Sequence, residues 1–509
     1  MTTEALRALS EPRLSPAAAT ALLHAALAVL VVITSVSAFA VSTVFGVSAT
    51  FAMMLGVTIL LPASVPFIVA TAFLFQNAVV AWYTPLIPDN TTFDALRGSN
   101  FIILMTAFGA FFAAAFQPRV LIIAAIRPWL IAGMLLGVVI TFYLGLGAIH
   151  GEAKDAVVYF RNVITPVACF FVAVIASSLY RIDLRRLIPW LAGAAILYGY
   201  CELTFAMDFL SLFHGDQYIE RDIWRQIQTG VWEKALQQTG FVLRGLSDVM
   251  MTDVFNLPML SGIFPKVFRI GGPTFHSISY AYGLSIASVW LLFNKRWLLP
   301  LLALPLLVVI GSKGAMVLLL LAIFVRLAAP LIGARLSLIL TTLAAIAWIA
   351  GSILFGMRSG DYHVLGLLAG IRDFLHNPFG VGLGFGGNLS SDAVNINWEQ
   401  SQADGAAGIP MESAIGVMIY QMGIGSLVYL GFLAAIARAA WRAYRRSHDF
   451  SQLFLYVGTV VISANAVLQE EAFFSPLALG FCLLLGGVGL GTHWRRERAA
   501  ANAISGRSQ

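Results

Sequence analysis

Apolar residues run along this chain in long blocks, separated by short polar breaks that carry most of its charge. A bilayer core takes roughly 20 apolar residues per helix. Blocks of that kind fall at 18–45, 47–61, 64–83, 100–117, 127–149, 156–180, 187–207, 272–293, 297–311, 314–330, 336–356, 411–437, 451–468 and 473–491. They predict an all-α polytopic membrane protein with about 12–14 transmembrane helices. Segments 47–61 and 297–311 are short for full spans and suit tilted or re-entrant helices. The first block resembles a signal peptide near Ser-Ala-Phe-Ala, but its apolar run far exceeds the ~7–15 residues of a leader's core. It reads as a retained helix.

Two long segments, about 208–271 and 358–410, interrupt the pattern. In the first, Ile219, Ile223, Ile227 and Val231 recur every four residues, with Glu220, Arg221, Asp222 and Arg225 on other faces. That spacing predicts an amphipathic helix. It could lie on a leaflet surface, close over the membrane body as a lid, or simply cap the bundle. The second is a polar island with a Gly-rich turn at 380–387 and an Asn/Ser/Asp/Gln-rich stretch to 404. That stretch suits either contact with a polar ligand or a plain flexible linker. The chain divides into N-terminal spans (1–207), a segment with the amphipathic helix (208–271), central spans (272–357), the polar loop (358–410) and C-terminal spans with a tail (411–509).

Composition excludes a soluble protein: 59% of residues are hydrophobic, 11% are charged, and the mean hydropathy is +0.85. The charges then orient it. With the N-terminus in the cytoplasm and every block crossing, the cytoplasmic side receives 19 of the 31 Lys and Arg residues and five of the 25 acids. The opposite side becomes net acidic, as the positive-inside rule requires. The formal charge of +6 is thus an orientation signature, and no nucleic-acid partner is needed to explain it. Cys169, Cys201 and Cys482 all fall in spans without metal-type spacing, and no Asp-x-Asp or His-x-x-x-His stands on the outer side, so no metal or cofactor is expected. Glu470-Glu471 at the outer end of a span reads as a solvated helix terminus, with a sugar or metal contact as the alternative.

The same topology gathers a set of ionisable groups at the outer face: Arg269 beside Gly271, Gly272 and His276; Lys313; Arg358, His363 and Arg372 in the polar loop; and Glu412 where the next helix opens. Guanidinium holds phosphate bidentately and keeps its charge in a low-dielectric site. A partly buried carboxylate with a raised pKa suits a general base. The competing reading for each is a snorkelling or capping charge, which is the one taken for Arg97, Lys154 and Lys266.

Three motifs among these residues resemble a known pattern. They are RIGGPTFHS at 269–277, GSKGA at 311–315, and HNPFGVGLGFG at 376–386 followed by ESAIGVMIYQMGIG at 412–425. Together they resemble the bacterial O-antigen ligase and O-antigen polymerase superfamily, membrane glycosyltransferases of the GT-C type. Lys313 stands where that family usually has arginine, and Glu412-Ser413 where its ligases carry His-Asn. Gln421-Met422-Gly423 replaces Glu-x-Gly, and either Arg358 or His363 fills the place of the arginine before Asn-Pro. The missing histidine counts against a lipid A ligase, whereas a Glu-Ser pair is compatible with a polymerase. The likeness covers about a third of the chain.

The resemblance implies transfer of a glycan from undecaprenyl diphosphate to an acceptor hydroxyl at the periplasmic face of the inner membrane, both termini being cytoplasmic. Arg269, Lys313, Arg358 and Arg372 would bind diphosphate, and Glu412 would activate the acceptor with His363 or His276 assisting. In a polymerase the acceptor is a second lipid-linked repeat unit; membrane lipids and chain-length or export proteins are the other expected partners. A ligase acting on a lipid or protein acceptor is the alternative. A lipid-linked oligosaccharide flippase is disfavoured, because a transporter should line a cavity within its spans with charges and often shows repeated halves, whereas here the ionisable groups gather at one face and the halves look dissimilar.

Overall fold

The computed structural model describes residues 16–117, 125–228, 250–254, 263, 266–391 and 396–505. The described residues are predominantly helical, with the architecture of a multi-pass membrane protein. In chain order the helices are α1 (Pro16–Val41), α2 (Thr43–Leu60), α3 (Val65–Tyr83), α4 (Asn90–Arg97), α5 (Ser99–Ala115), α6 (Arg127–His150), α7 (Ala153–Leu179), α8 (Leu184–Leu212) and α9 (Gly215–Gln228). A two-stranded antiparallel ribbon, β1 (Met251–Thr252) with β2 (Val267–Phe268), follows. Then come α10 (Ser277–Phe293), α11 (Leu298–Ile310), α12 (Lys313–Ile332), α13 (Ala334–Ser359), α14 (Tyr362–His376) and α15 (Trp398–Asp404). The chain closes with α16 (Ala414–Met422), α17 (Gly425–Ser447), α18 (Ser451–Asn465), α19 (Glu471–Phe474) and α20 (Phe481–Ser505).

Burial sorts these helices into a centre and a rim. In α7, 94% of the most apolar window is buried, and in the span containing α20 the share is 89%. The two pack along their lengths, with α5 and α6 against α7 and with α18 and α10 against α20. Helix α13 is equally apolar, yet only 17% of its window is buried. Leu354, Phe355 and Leu343 point away from the protein there. Large apolar side chains on a helical surface need an apolar surrounding, which a bilayer supplies.

Every expected block contains helix, but the number of full spans is lower than the 12–14 expected. Among the described residues nine helices are long and apolar enough to cross a membrane, or ten if the bent pair α4–α5 is one span. Helices α10, α11 and α18 are apolar but short. The 13 residues of α11 rise about 20 Å, less than the ~30 Å hydrocarbon core. Block 411–437 is not one helix, because Gly423 at φ +49° ends α16 and α17 starts afresh. The polar island is likewise part of the packed body, since α14 lies within it and packs on α16.

The amphipathic segment forms α9, the expected helix, up to Gln228; Val231 lies outside the described residues, as do Arg7, Arg13, Arg119 and Arg507. Tyr218 is buried, with its ring 5.0 Å from Phe93 and 4.8 Å from Phe275. Arg221 donates to the carbonyl of Ile87. The helix is therefore docked on the α3–α4 connection.

Candidate functional site

Five alternating glycines make the centre of the site. In Gly380-Val-Gly-Leu-Gly-Phe-Gly-Gly387, the residues Gly380, Gly382, Gly384, Gly386 and Gly387 all have positive φ. This turn threads between α6 and α16: Leu383 N donates to Tyr143 O (2.9 Å) and Gly382 N to Gln421 O (2.9 Å). The Gln421 side-chain amide donates to Phe385 O at 2.9 Å, so this side chain also holds the turn. At Gly387, φ is +77° and an added Cβ would fall on the Tyr159 hydroxyl and 2.9 Å from Glu470 Oε1. Gly387→Ala is accordingly expected to cost roughly 1–3 kcal/mol from backbone strain, before any steric penalty. Thermal unfolding of the purified protein measures this.

The turn delivers its next residues to a buried carboxylate. Asn388 N donates to Glu470 Oε2 (2.9 Å), the Tyr159 hydroxyl donates to Oε1 (2.8 Å), and Leu389 N donates to that hydroxyl (3.2 Å). Ser391 N donates to Asp155 Oδ2 at 2.7 Å. The start of the Asn/Ser/Asp/Gln-rich stretch is therefore fastened to α7, and is no linker. Nor is Glu470 a solvated terminus, because it is buried.

Burial pushes the Glu470 carboxyl up to about 8; the Asn388 N–H and Tyr159 hydroxyl oppose this, and Glu471 and Glu412 add to it. A folded pKa above the ordinary 4.5 means that the native chain holds an extra proton between those values. Stability is then fully present below about 4.5 and falls as pH rises through about 8. Glu470→Gln, which mimics the protonated acid, should flatten that decline in thermal unfolding between about pH 5 and pH 9. Glu470→Ala strips the acceptor from the buried Tyr159 hydroxyl and should destabilise by ~1–3 kcal/mol for that orphaned group.

Glu412 is brought close to this carboxylate by backbone. Ser413 caps α16, its hydroxyl accepting from Gly416 N (3.0 Å) and donating to Val467 O (2.7 Å), while Ile415 N reaches Ala466 O (2.9 Å). These bonds tie residues 412–415 to the approach to Glu470-Glu471. Glu412 itself has φ +60°, and Ser413 N bonds to Met411 O (2.7 Å) across it. That is a three-residue turn in a conformation rarely held by a non-glycine residue. Strain of this kind concentrates at functional positions.

His363, in the first turn of α14, faces Glu412. Its Nδ1 lies 3.6 Å from Glu412 Oε2 and 3.3 Å from Glu412 O. Gly366 and Gly370 make the approach possible: an added Cβ at either would strike the backbone of Met411 or Gly416. Burial pushes the Glu412 carboxyl up; His363 opposes this, Glu471 adds to it, and a hydrogen bond from the Asn388 side chain opposes it. Asn388 thus touches Glu470 with its backbone and Glu412 with its side chain.

Arg269 completes the cluster. Its N–H extends the β1–β2 ladder by donating to Met250 O at 2.7 Å. Just beyond it, Gly271 in the right-handed region and Gly272 at φ +60° turn two successive N–H groups inward. Buried Glu202 of α8 accepts both, at 2.9 and 2.7 Å. Such an αR–αL pair is an anion-binding nest, here filled by a side chain that fixes the base of the arginine. Arg269 Nε is buried and makes no hydrogen bond. Burial pushes the Glu471 carboxyl up; its own N–H, His363 and Arg269 oppose this. Glu471 is therefore the electrostatic link between the arginine and the His363–Glu412 pair.

The other expected site residues do not join this cluster in the same way. Lys313 is exposed at the first position of α12, next to Gly314, which packs on Gln469. It therefore stands at the same end of the bundle. Arg358 is exposed in the last turn of α13, where a cation complements the helix dipole. Arg372 lies about 13 Å along α14 from His363 and donates to Ala407 O (3.0 Å) and Gly408 O (3.4 Å), pinning the loop. His276 caps α10, its Nδ1 accepting from Ser279 N at 3.2 Å. Lys154 pairs with Asp94 at 3.9 Å in an exposed position, and Arg97 lies over the rings of Phe93 and Tyr218.

Asn388, Glu471 and Glu202 are the residues that sequence reading does not assign to the site. Glu471 carries a sequence signal as half of an acidic pair at a span end, and Asn388 only as part of a polar stretch that reads equally as a linker. Among the described residues, no group of three or more His, Cys, Asp or Glu side chains is placed to hold a metal ion. No protein-family model matches the chain, and neither do the curated proteins or the solved structures.

Proposed function

We propose that this chain is a GT-C-type polysaccharide polymerase that transfers glycan from undecaprenyl diphosphate to a hydroxyl of another lipid-linked repeat unit. The observation that supports it most is the placement, around Glu471, of a half-buried arginine having an unsatisfied Nε and a strained, half-buried carboxylate backed by histidine. The acceptor oxygen attacks the anomeric carbon as its proton passes to Glu412. The bond from that carbon to the phosphate oxygen breaks, and its electron pair leaves on the diphosphate. Arg269 stabilises the charge developing there, with Lys313 as a second cation at the same end. His363 orients Glu412 and holds its pKa from rising further. Arg358, Arg372 and His276 are left with structural roles.

The proposed setting is the inner membrane of a bacterium, with the site on the periplasmic face and both termini in the cytoplasm. The split between a basic and an acidic side supports that orientation. Deleting the gene and analysing the cell's glycans tests the reading. Accumulation of single lipid-linked repeats is the expected result. Full-length glycan stranded on undecaprenyl diphosphate would mean a ligase instead, and material trapped in the cytoplasmic leaflet a flippase.

A further inference from the structure

The far ends of α7 and α20 hold a second concentration of charge that the transfer reaction does not use. Helix α7 separates this region from Tyr159 and Asp155 by about 30 Å or more. A cavity of about 570 Å³ opens there, lined by Arg181 from the α7–α8 connection, Arg185 from the first turn of α8, Arg446 from α17, and Arg495 and Arg496 from α20. Its volume is in the range of small-ligand sites. Trp290, Leu485 and Val488, all buried, give it an apolar floor.

The acids around it are already engaged. Asp183 pairs with Arg186 (3.2 Å), Asp449 with Arg185 (4.0 Å), and Glu497 with both Arg446 (3.2 Å) and His493 (3.3 Å). No carboxylate among the described residues pairs with Arg181, Arg495 or Arg496, although the charges of Arg181 and Arg496 both reach Arg495. Arg495 is held in place by donating to the Tyr180 carbonyl at the end of α7. Like charges crowded over an apolar floor are unfavourable unless an anion sits among them. A general preference for cations on one membrane face spreads arginines along a rim; it does not require three of them to converge on a cavity.

We propose that this cavity binds a phosphate-bearing ligand, its phosphate held by Arg181, Arg495 and Arg496. The guanidinium fork matches phosphate oxygens, and a floor of Trp290 and Leu485 suits the glycerol and upper chains of an acidic phospholipid. A free phosphate offers the same headgroup chemistry without the chains.

The test uses the full-length purified protein, delipidated in detergent. Phosphatidylglycerol, phosphatidylcholine and inorganic phosphate are titrated separately and binding is read by native mass spectrometry and calorimetry. Wild type is expected to bind phosphatidylglycerol in preference to phosphatidylcholine. Arg181→Gln with Arg496→Gln, both exposed positions, should weaken that binding about tenfold or more. Arg438→Gln with Arg442→Gln removes two charges from α17 outside the cavity and should leave binding unchanged, and size-exclusion profiles check that both variants fold. Binding of phosphatidylglycerol alone assigns the site to a membrane headgroup, and equal binding of inorganic phosphate assigns it to a free phosphate; either outcome sustains the proposal. It is overturned if wild type binds neither probe, or if the two double variants lose affinity equally.

Discussion

Glu412→Gln is expected to lower the rate of glycan transfer by about 10²–10⁴-fold, the range for removing a positioned general base. The amide keeps the shape of the side chain and can still meet His363, so the fold should survive. It cannot take up the acceptor's proton. The loss should therefore appear in kcat, with little change in KM for the lipid-linked donor. Glu470→Gln is the matched control, because that neighbouring carboxyl is buried and already protonated at neutral pH, with a pKa near 8. Its amide should transfer glycan at close to the wild-type rate. Two adjacent glutamates with opposite responses to the same substitution would separate a base from a structural acid. A full rate from Glu412→Gln would remove it from the mechanism.

The second large effect belongs to Arg269→Ala, expected to reduce transfer by about 10²–10³-fold, comparable to losing one preorganised donor at a developing negative charge. Here the charge develops on the leaving diphosphate. Arg269→Lys should recover only part of the rate, since an ammonium supplies charge without the bidentate fork. The substitution also removes a cation that opposes the burial-driven rise of the Glu471 carboxyl. A donor with a better leaving group than a lipid diphosphate should rescue Arg269→Ala more than it rescues Glu412→Gln. Equal rescue of both variants would mean that the arginine does not act on the leaving group.

Much of the architecture can be read from the apolar blocks, because a membrane helix is written in local composition. Span length is less legible. The end of α16 depends on Gly423 taking φ +49° so that Ile424 N can bond Pro378 O (2.8 Å), a pairing across 46 residues that local hydropathy cannot register. The site divides in the same way. Glu412, His363 and Arg269 stand out as charges at span ends; His363 lies 3.6 Å from Glu412 Oε2, and the charges of His363 and Arg269 both reach Glu471. Arg372 and Arg358 carry the same sequence signal, yet one is occupied by the carbonyls of Ala407 and Gly408 and the other closes α13. A charge at a membrane boundary shows where it stands, but not which partner claims it.

Glu202 shows the converse. Within an apolar block it resembles a misplaced charge; its function emerges only once the two N–H groups of Gly271 and Gly272 are seen converging on it. Asn388 was hidden for another reason. It sits in a polar run that composition reads as loop, and its value comes from the Gly387 turn that aims its backbone at Glu470.

The most direct measurement reconstitutes the purified protein in vesicles with an undecaprenyl-diphosphate-linked repeat unit as the sole substrate, following polymer length and free undecaprenyl diphosphate together. The expected result is a ladder of polymer with one lipid diphosphate released for each new glycosidic bond, and both products formed at least about 10²-fold more slowly by Glu412→Gln and Arg269→Ala. Polymer formed equally well by both variants, or wild-type protein that releases no lipid diphosphate from this substrate, would contradict it.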